Sequence, residues 1–228
     1  MNRVILSAST DETILAVTRQ HKLVDLEIEQ QINTEIVGCI YKGVVKNIVP
    51  AVDGIFVDIG IGKNAFLRRK DLLNEKRFPT EGSPILAQVI KSDTDMKGAL
   101  ITEKISMFGK YAVTLSGTGY IGVSKKIRQE SVRKRLKEIG KEICAEHMGL
   151  IIRTAAENAD MDEFRKDITR LKENWDIIQK RFRMEKSPTL LYRESDIIVK
   201  ALRDYVNKGT EILITDNRKI YERICKLN

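Results

Sequence analysis

Apolar residues recur along this chain at two spacings, and the change between them divides it. From residue 3 to 29 the spacing is two, which predicts strands over 4–7, 13–18 and 22–29. In the last of these Val24, Leu26 and Ile28 alternate with Asp25, Glu27 and Glu29, so one face should turn inward and the other to water. The three read as an antiparallel meander. Strand character continues over 39–49, 55–59, 64–67, 85–90 and 99–102, interrupted by a Pro50 to Gly54 turn and by Gly60-Ile61-Gly62-Lys63. Five short strands with glycine-rich turns, ahead of any long helix, predict a small closed barrel over residues 36–103.

Past Met107 the pattern becomes mixed. Strands are expected at 111–115 and 120–123, around Ser116-Gly117-Thr118-Gly119. Over 128–146, Val132, Leu136, Ile139 and Ile143 fall at helical spacing with Arg and Lys opposite them. A strand at 150–152 leads into Arg153-Thr154-Ala155. A second helix, about 161–182, sets Phe164, Ile168, Leu171, Trp175, Ile178 and Phe182 on one stripe, which predicts core and not a stacking platform. The chain then offers a strand at 189–192, a helix begun by Ser195 as N-cap, a strand at 211–215, and a helix capped by Asp216 or Asn217. No internal repeat or low-complexity segment interrupts this α+β pattern.

Charge and composition narrow the function without fixing it. The 228 residues suffice for one to two compact domains. Forty Lys and Arg against 32 Asp and Glu give a net charge of +8, which favours a polyanionic partner. Cys39, Cys144 and Cys225 show no CxxC or Cys/His ligand spacing, so neither a disulfide framework nor a zinc cluster is expected. A reducing, cytoplasmic setting fits such cysteine usage. The opening residues do not read as a signal peptide and no run reaches membrane-spanning length, so a soluble protein without a membrane partner is expected.

Catalytic chemistry is hard to find. Asp93-Thr94-Asp95 and Asp160-Met161-Asp162 are close acidic pairs, but each sits in a loop or helix start without a third ligand, as solvated turns do. His21 and His147 have no Ser or Cys partner at a suggestive spacing. No catalytic or metal-binding residue is therefore assigned. Single-stranded nucleic acid, by contrast, needs aromatic faces for bases and cations for phosphates. Phe56 and Phe66 lie in neighbouring strands, where they could share a face, and Lys42, Lys46, Lys63 and Lys97 supply positive charge. The competing reading places both phenylalanines in the barrel core.

The run Tyr41-Lys42-Gly43-Val44-Val45, then Gly54-Ile55-Phe56-Val57-Asp58-Ile59-Gly60, then Ala65-Phe66-Leu67 resembles the S1 RNA-binding domain, an OB-fold whose corresponding face binds RNA. The resemblance extends over the whole chain. With the opening meander, Lys97-Gly98-Ala99-Leu100-Ile101-Thr102, Gly122-Val123-Ser124-Lys125-Lys126-Ile127, Gly149-Leu150-Ile151-Ile152-Arg153-Thr154-Ala155, and the run from Glu194-Ser195-Asp196 to Arg203-Asp204-Tyr205, the sequence is similar to the N-terminal half of the ribonuclease E/G family.

That resemblance implies a bacterial endoribonuclease of ribosomal RNA processing and messenger RNA decay. It implies a split ribonuclease-H-like subdomain (1–35 and 199–228) holding the S1-type barrel (36–103) and a 5′ sensor (104–198). RNA-binding roles fall to Phe56, Phe66, Lys97 and Lys42. The family holds a 5′-monophosphate with an Arg-Thr pair, here Arg153-Thr154, and Gly109 and Val113 match positions that shape the pocket and meet the terminal nucleotide. Lys125 stands where the family commonly has arginine, which keeps the charge but loses the rigid fork.

The family's hydrolytic step uses Mg²⁺ held by two carboxylates in a DNase-I-like domain, and cysteines beyond it form a zinc link between subunits; the resemblance places both beyond residue 228. The chain itself is then expected to bind no cofactor and to grip single-stranded, preferably 5′-monophosphorylated RNA without cutting it. The alternatives are a self-contained metal-dependent endoribonuclease and a regulatory or translation-associated protein that uses the barrel alone.

Overall fold

A computed structural model describes residues 2–30, 36–93, 97–144, 148–193, 196–206, 210 and 212–227. The chain opens with β1 (Asn2–Ala8), β2 (Glu12–Arg19) and β3 (Lys22–Gln30). Next come β4 (Ile40–Val49), β5 (Gly54–Asp58), β6 (Ala65–Arg68), β7 (Pro84–Lys91) and β8 (Leu100–Thr102). A third set follows: β9 (Ser106–Phe108), β10 (Ala112–Ser116), β11 (Ile121–Val123), α1 (Glu130–Ile143), β12 (Met148–Ile152) and α2 (Met161–Met184). The last elements are β13 (Thr189–Tyr192), α3 (Ile197–Asp204), β14 (Ile212–Thr215) and α4 (Arg218–Leu227). Met1–Glu35 with Ser195–Asn228 make one compact unit, and Ile36–Glu194 make another.

In the first unit β14 lies parallel to β1, completing a four-stranded sheet of order β14-β1-β2-β3. Val4, Leu6 and Leu15 pack from this sheet onto Ile197, Ile198 and Ala201 of α3 and Ile220 and Ile224 of α4. A three-stranded meander has no second layer of its own, and these two helices supply it. The face of β3 is the reverse of the expectation. Leu15 pairs with Glu27 and Ile14 with Ile28, so the side carrying Leu15 toward the helices carries the acidic residues of β3. Asp25 accepts from the Tyr205 hydroxyl. Val24, Leu26 and Ile28 are each more than half exposed on the opposite face.

Capping also differs in detail. The α3 N-cap is Asp196, whose carboxylate accepts from the amides of Ile198 and Val199, while Ser195 lies outside the described residues. Of the two candidates for α4, Asn217 takes the role, accepting from Lys219 and Ile220. Asp216 instead accepts from the Ser7 hydroxyl and the Ala8 amide, which locks the end of β14 to β1.

In the second unit β4, β5, β6, β8 and β7 follow one another in hydrogen-bonded order, and β4 also pairs with β7, closing a five-stranded barrel of OB type. Its interior is filled by Val45, Ile55, Val57, Ala65, Leu67, Ala87, Val89 and Ile101. Beside it stands a four-stranded sheet of order β11-β12-β10-β9. The face of this sheet that carries Met107, Ala112, Thr114, Leu150 and Ile152 is buried beneath α1 and α2. The apolar stripe of α2 serves as core, with Phe164 and Ile168 fully buried and Trp175 and Phe182 partly so. Strand β9, three residues long, has no counterpart in the sequence reading. Strand β13 pairs with the barrel strand β4.

Hydrogen bonds from Ser7 and Ala8 hold the Asp216 carboxyl below the ordinary range. A depressed native pKa gives stability that is present above the unfolded value and lost as pH falls through the native one. The advantage of the wild-type chain over Asp216→Asn in urea unfolding should therefore be full at neutral pH and shrink below about pH 4. An advantage independent of pH would contradict this role for the charge.

Candidate nucleic-acid interface

Phe56 and Phe66 are direct register partners on β5 and β6. Their neighbours Ile55, Val57, Ala65 and Leu67 are completely buried, so strand alternation sends both rings outward. The ring centroids are 5.4 Å apart at 51°, and Phe56 is 37% exposed, which excludes the core reading. Gly54 makes room for this arrangement, since a Cβ there would lie 2.3 Å from the Phe66 ring. Lys97 is exposed just ahead of Ala99, whose carbonyl accepts from the Phe66 amide. Lys46 pairs with Asp58 at 3.3 Å.

Lys42 does not join this surface. It is buried, its ammonium donates to the Glu185 carbonyl at 2.6 Å, and it lies 5.0 Å from the centre of the Phe182 ring. Arg181 reinforces the same junction by donating to the carbonyls of Leu190 and Leu191 and pairing with Glu185. That ion pair holds the Glu185 carboxyl below its ordinary range. Lys42 is thus a packing residue where α2 and β13 meet the barrel, because its partners come from distant sequence.

The second group of residues gathers at one end of the β11-β12-β10-β9 sheet. Parallel pairing sets the ends of β11 and β12 side by side, Val123 opposite Ile152. Antiparallel pairing puts the start of β10 there as well, Ala112 opposite Ile152, and the end of β9, Phe108 opposite Val113. The turns carrying Gly109, Ser124-Lys125 and Arg153-Thr154 consequently share one edge. The Arg153 guanidinium donates to the Gly109 carbonyl at 2.8 Å. The hydroxyls of Thr154 and Ser124 share a hydrogen bond of 3.1 Å. Thr154 and Lys125 are exposed, and Val113 is half-buried in the adjoining strand.

This edge is braced from behind. The Asp167 carboxylate on α2 accepts from the amides of Lys110 at 3.1 Å and Tyr111 at 2.8 Å. The Tyr111 hydroxyl donates to Glu163. Burial, with that bond and the nearby carboxylates, pushes the phenol well above its ordinary value and keeps it a donor. Arg133 of α1 donates to the carbonyls of Ser124 and Ile127, fixing the turn that carries Lys125. Ser124, Asp167 and Arg133 are contributors that sequence reasoning missed. Asp167 and Arg133 act on backbone atoms and Ser124 on the hydroxyl of distant Thr154, none of which leaves a residue pattern.

Among the described residues no group of three or more His, Cys, Asp and Glu side chains could hold a metal ion. Asp160 caps α2 by accepting from Asp162 and Glu163, while Asp95 and His147 lie outside the described residues. No helix among the described residues is long and apolar enough to cross a membrane.

An outward aromatic pair on a closed five-stranded barrel defines an OB-fold protein of the S1 type, and residues 34–102 match the S1 RNA binding domain. Residues 106–228 match the Ribonuclease E/G family, and the chain belongs to that family. It is 32% identical to Ribonuclease G of Escherichia coli (strain K12) over 98% of its own length and 49% of that protein's. For Ribonuclease G of Haemophilus influenzae the figures are 31%, 97% and 48%, and for Ribonuclease E of Buchnera aphidicola subsp. Schizaphis graminum 31%, 97% and 25%. The chain spans about half the length of the ribonuclease G relatives it matches.

Asp167→Ala removes the acceptor of two amides that set the Gly109 edge. Bonds to a charged acceptor contribute about 1.5–3 kcal/mol each, so thermal unfolding should shift down accordingly, with faster amide exchange at Lys110 and Tyr111. An unchanged Tm and unchanged exchange would show that the edge stands without this brace.

Proposed function

We propose that this chain is the RNA-engaging portion of a ribonuclease E/G-type endoribonuclease of RNA processing and decay. The barrel clamps single-stranded RNA, and the edge of the β11-β12-β10-β9 sheet holds its 5′-monophosphate. What carries this reading is the convergence of Arg153, Thr154, Ser124 and Lys125 at the shared ends of β11 and β12.

A guanidinium offers a planar fork to phosphate oxygens, and hydroxyls supply shorter, adjustable donors. A 5′-hydroxyl end leaves those donors without their anion, which costs binding. Lys125 contributes charge at the rim without a fork. On the barrel, Phe56 and Phe66 stack bases and Lys97 attends the backbone, a combination tolerant of sequence. The hydrolytic step belongs in this reading to Mg²⁺ held by the full-length family enzyme, with this chain supplying binding and orientation.

Two measurements test the two grips separately. A 5′-monophosphorylated oligoribonucleotide should bind more tightly than its 5′-hydroxyl twin, Arg153→Ala should abolish the difference, and neither RNA should be cut with Mg²⁺ present. Equal binding of the twins by the wild-type chain would refute phosphate sensing. In the barrel, Phe56→Ala should weaken both RNAs by about 1–3 kcal/mol, the worth of one stacked base. Gly54→Ala should do likewise by displacing the Phe66 ring, and undiminished binding in both variants would rule out the aromatic pair.

A further inference from the structure

The face of the β11-β12-β10-β9 sheet turned away from the helices carries an apolar row in continuous register. Gly122 on β11 is opposite Ile151 on β12, Ile151 is opposite Val113 on β10, and Val113 is opposite Phe108 on β9. Gly122 has no side chain, and the ring of Tyr120 occupies the space: a Cβ at Gly122 would lie 2.7 Å from the ring. Tyr120 is 63% exposed, Phe108 43% and Ile151 38%. The row therefore carries the rings of Tyr120 and Phe108 with Ile151 and Val113 between them, two residues short of Arg153 along β12 and of Ser124 along β11. Two residues beyond Ile151 on an extended backbone, Arg153 leaves the sheet on the same side.

We propose that Tyr120 is a stacking ring for the first bases of the RNA, a role on this row beyond the contact with the terminal nucleotide that the resemblance assigns to Val113. It rests on the phosphate reading above and extends it from the terminal phosphate to the bases that follow.

Charge selects the occupant. The turn between β11 and α1, residues 124–129, contains three Lys and Arg and no Asp or Glu, in a chain whose net charge is +8. Lys125, Lys126 and Arg128 are exposed beside the row, and their side chains have no ion-pair partner among the described residues. An apolar strip rimmed by uncompensated cations suits a strand that brings π-faces and phosphates together. A sheet face of this kind binds bases with little regard to their identity, since every base has a face to stack.

The test uses the whole chain with 5′-monophosphorylated single-stranded RNA carrying 2-aminopurine at its first or second position. Binding to the wild-type chain should quench the fluorescence at one of these positions. Tyr120→Ala should remove the quench and weaken binding roughly ten-fold, the loss of one stacked base, while the preference for phosphorylated over 5′-hydroxyl RNA persists. Tyr120→Phe should keep both quench and affinity. A persistent phosphate preference with fluorescence indifferent to Tyr120 overturns the stacking role alone, as does a Tyr120→Ala variant that changes oligomeric state and leaves RNA binding intact. Loss of that preference in the wild-type chain overturns the phosphate reading, and the Tyr120 dependence of the quench then decides the stacking role by itself.

Discussion

Backbone hydrogen bonding along β4 is the constraint on which the inserted unit depends. One end of this ten-residue strand pairs with β7, which closes the barrel, and the other pairs with β5, which carries Phe56. Its first residues also accept β13, so the segment that follows α2 is hydrogen-bonded to the barrel wall. A closed barrel has no free edge for another chain to pair with, and its interior apolar residues fix which parity of each strand faces out. The outward aromatic pair follows from that parity. The burial of Lys42 follows too, because β13 and the end of α2 cover the stretch of β4 on which it lies.

A different device assembles the smaller sheet's edge. With β11 and β12 parallel, and the β9–β10 hairpin beside them, three turns distant in sequence meet. Backbone donors and acceptors are partly freed at strand ends, and here they are tied down by Asp167 and Arg133. The anchors face backward and the cations face outward. A braced edge with exposed charge at its rim needs little further ordering.

Much of this was legible in the sequence, and the residues that were not share a reason. Strand alternation located the barrel and put Phe56 and Phe66 together; their outward sense needed the parity of Ile55, Val57, Ala65 and Leu67. The stripe on α2 was readable as core because helical periodicity is a local property. Lys42 looked like a surface cation because its partner, Glu185, is 143 positions away. The polarity of β3 misled for a similar cause. Alternation shows that one side is apolar, but the pairing of Leu15 with Glu27 decides which side meets the helices. Asp216 and Asn217 were interchangeable as caps until Ser7 claimed the aspartate. The family's pattern supplied Arg153-Thr154; no spacing rule would have separated that arginine from any other after a strand.

The pairing of β1 with β14 also sets an order of events during synthesis. About two hundred residues separate these strands, so the opening meander leaves the ribosome long before the strand and helices that cover it. At ordinary elongation rates that interval is roughly 10–40 s, far longer than a hairpin or a small barrel takes to form. The inserted unit can thus be complete while the first thirty residues still wait with Val4, Leu6 and Leu15 uncovered. Because Tyr192 pairs with Ile40, the finished insert brings its own first and last strands together and shortens the loop that the late strand must close. The inserted unit, by keeping its own two ends together, thus eases completion of the first.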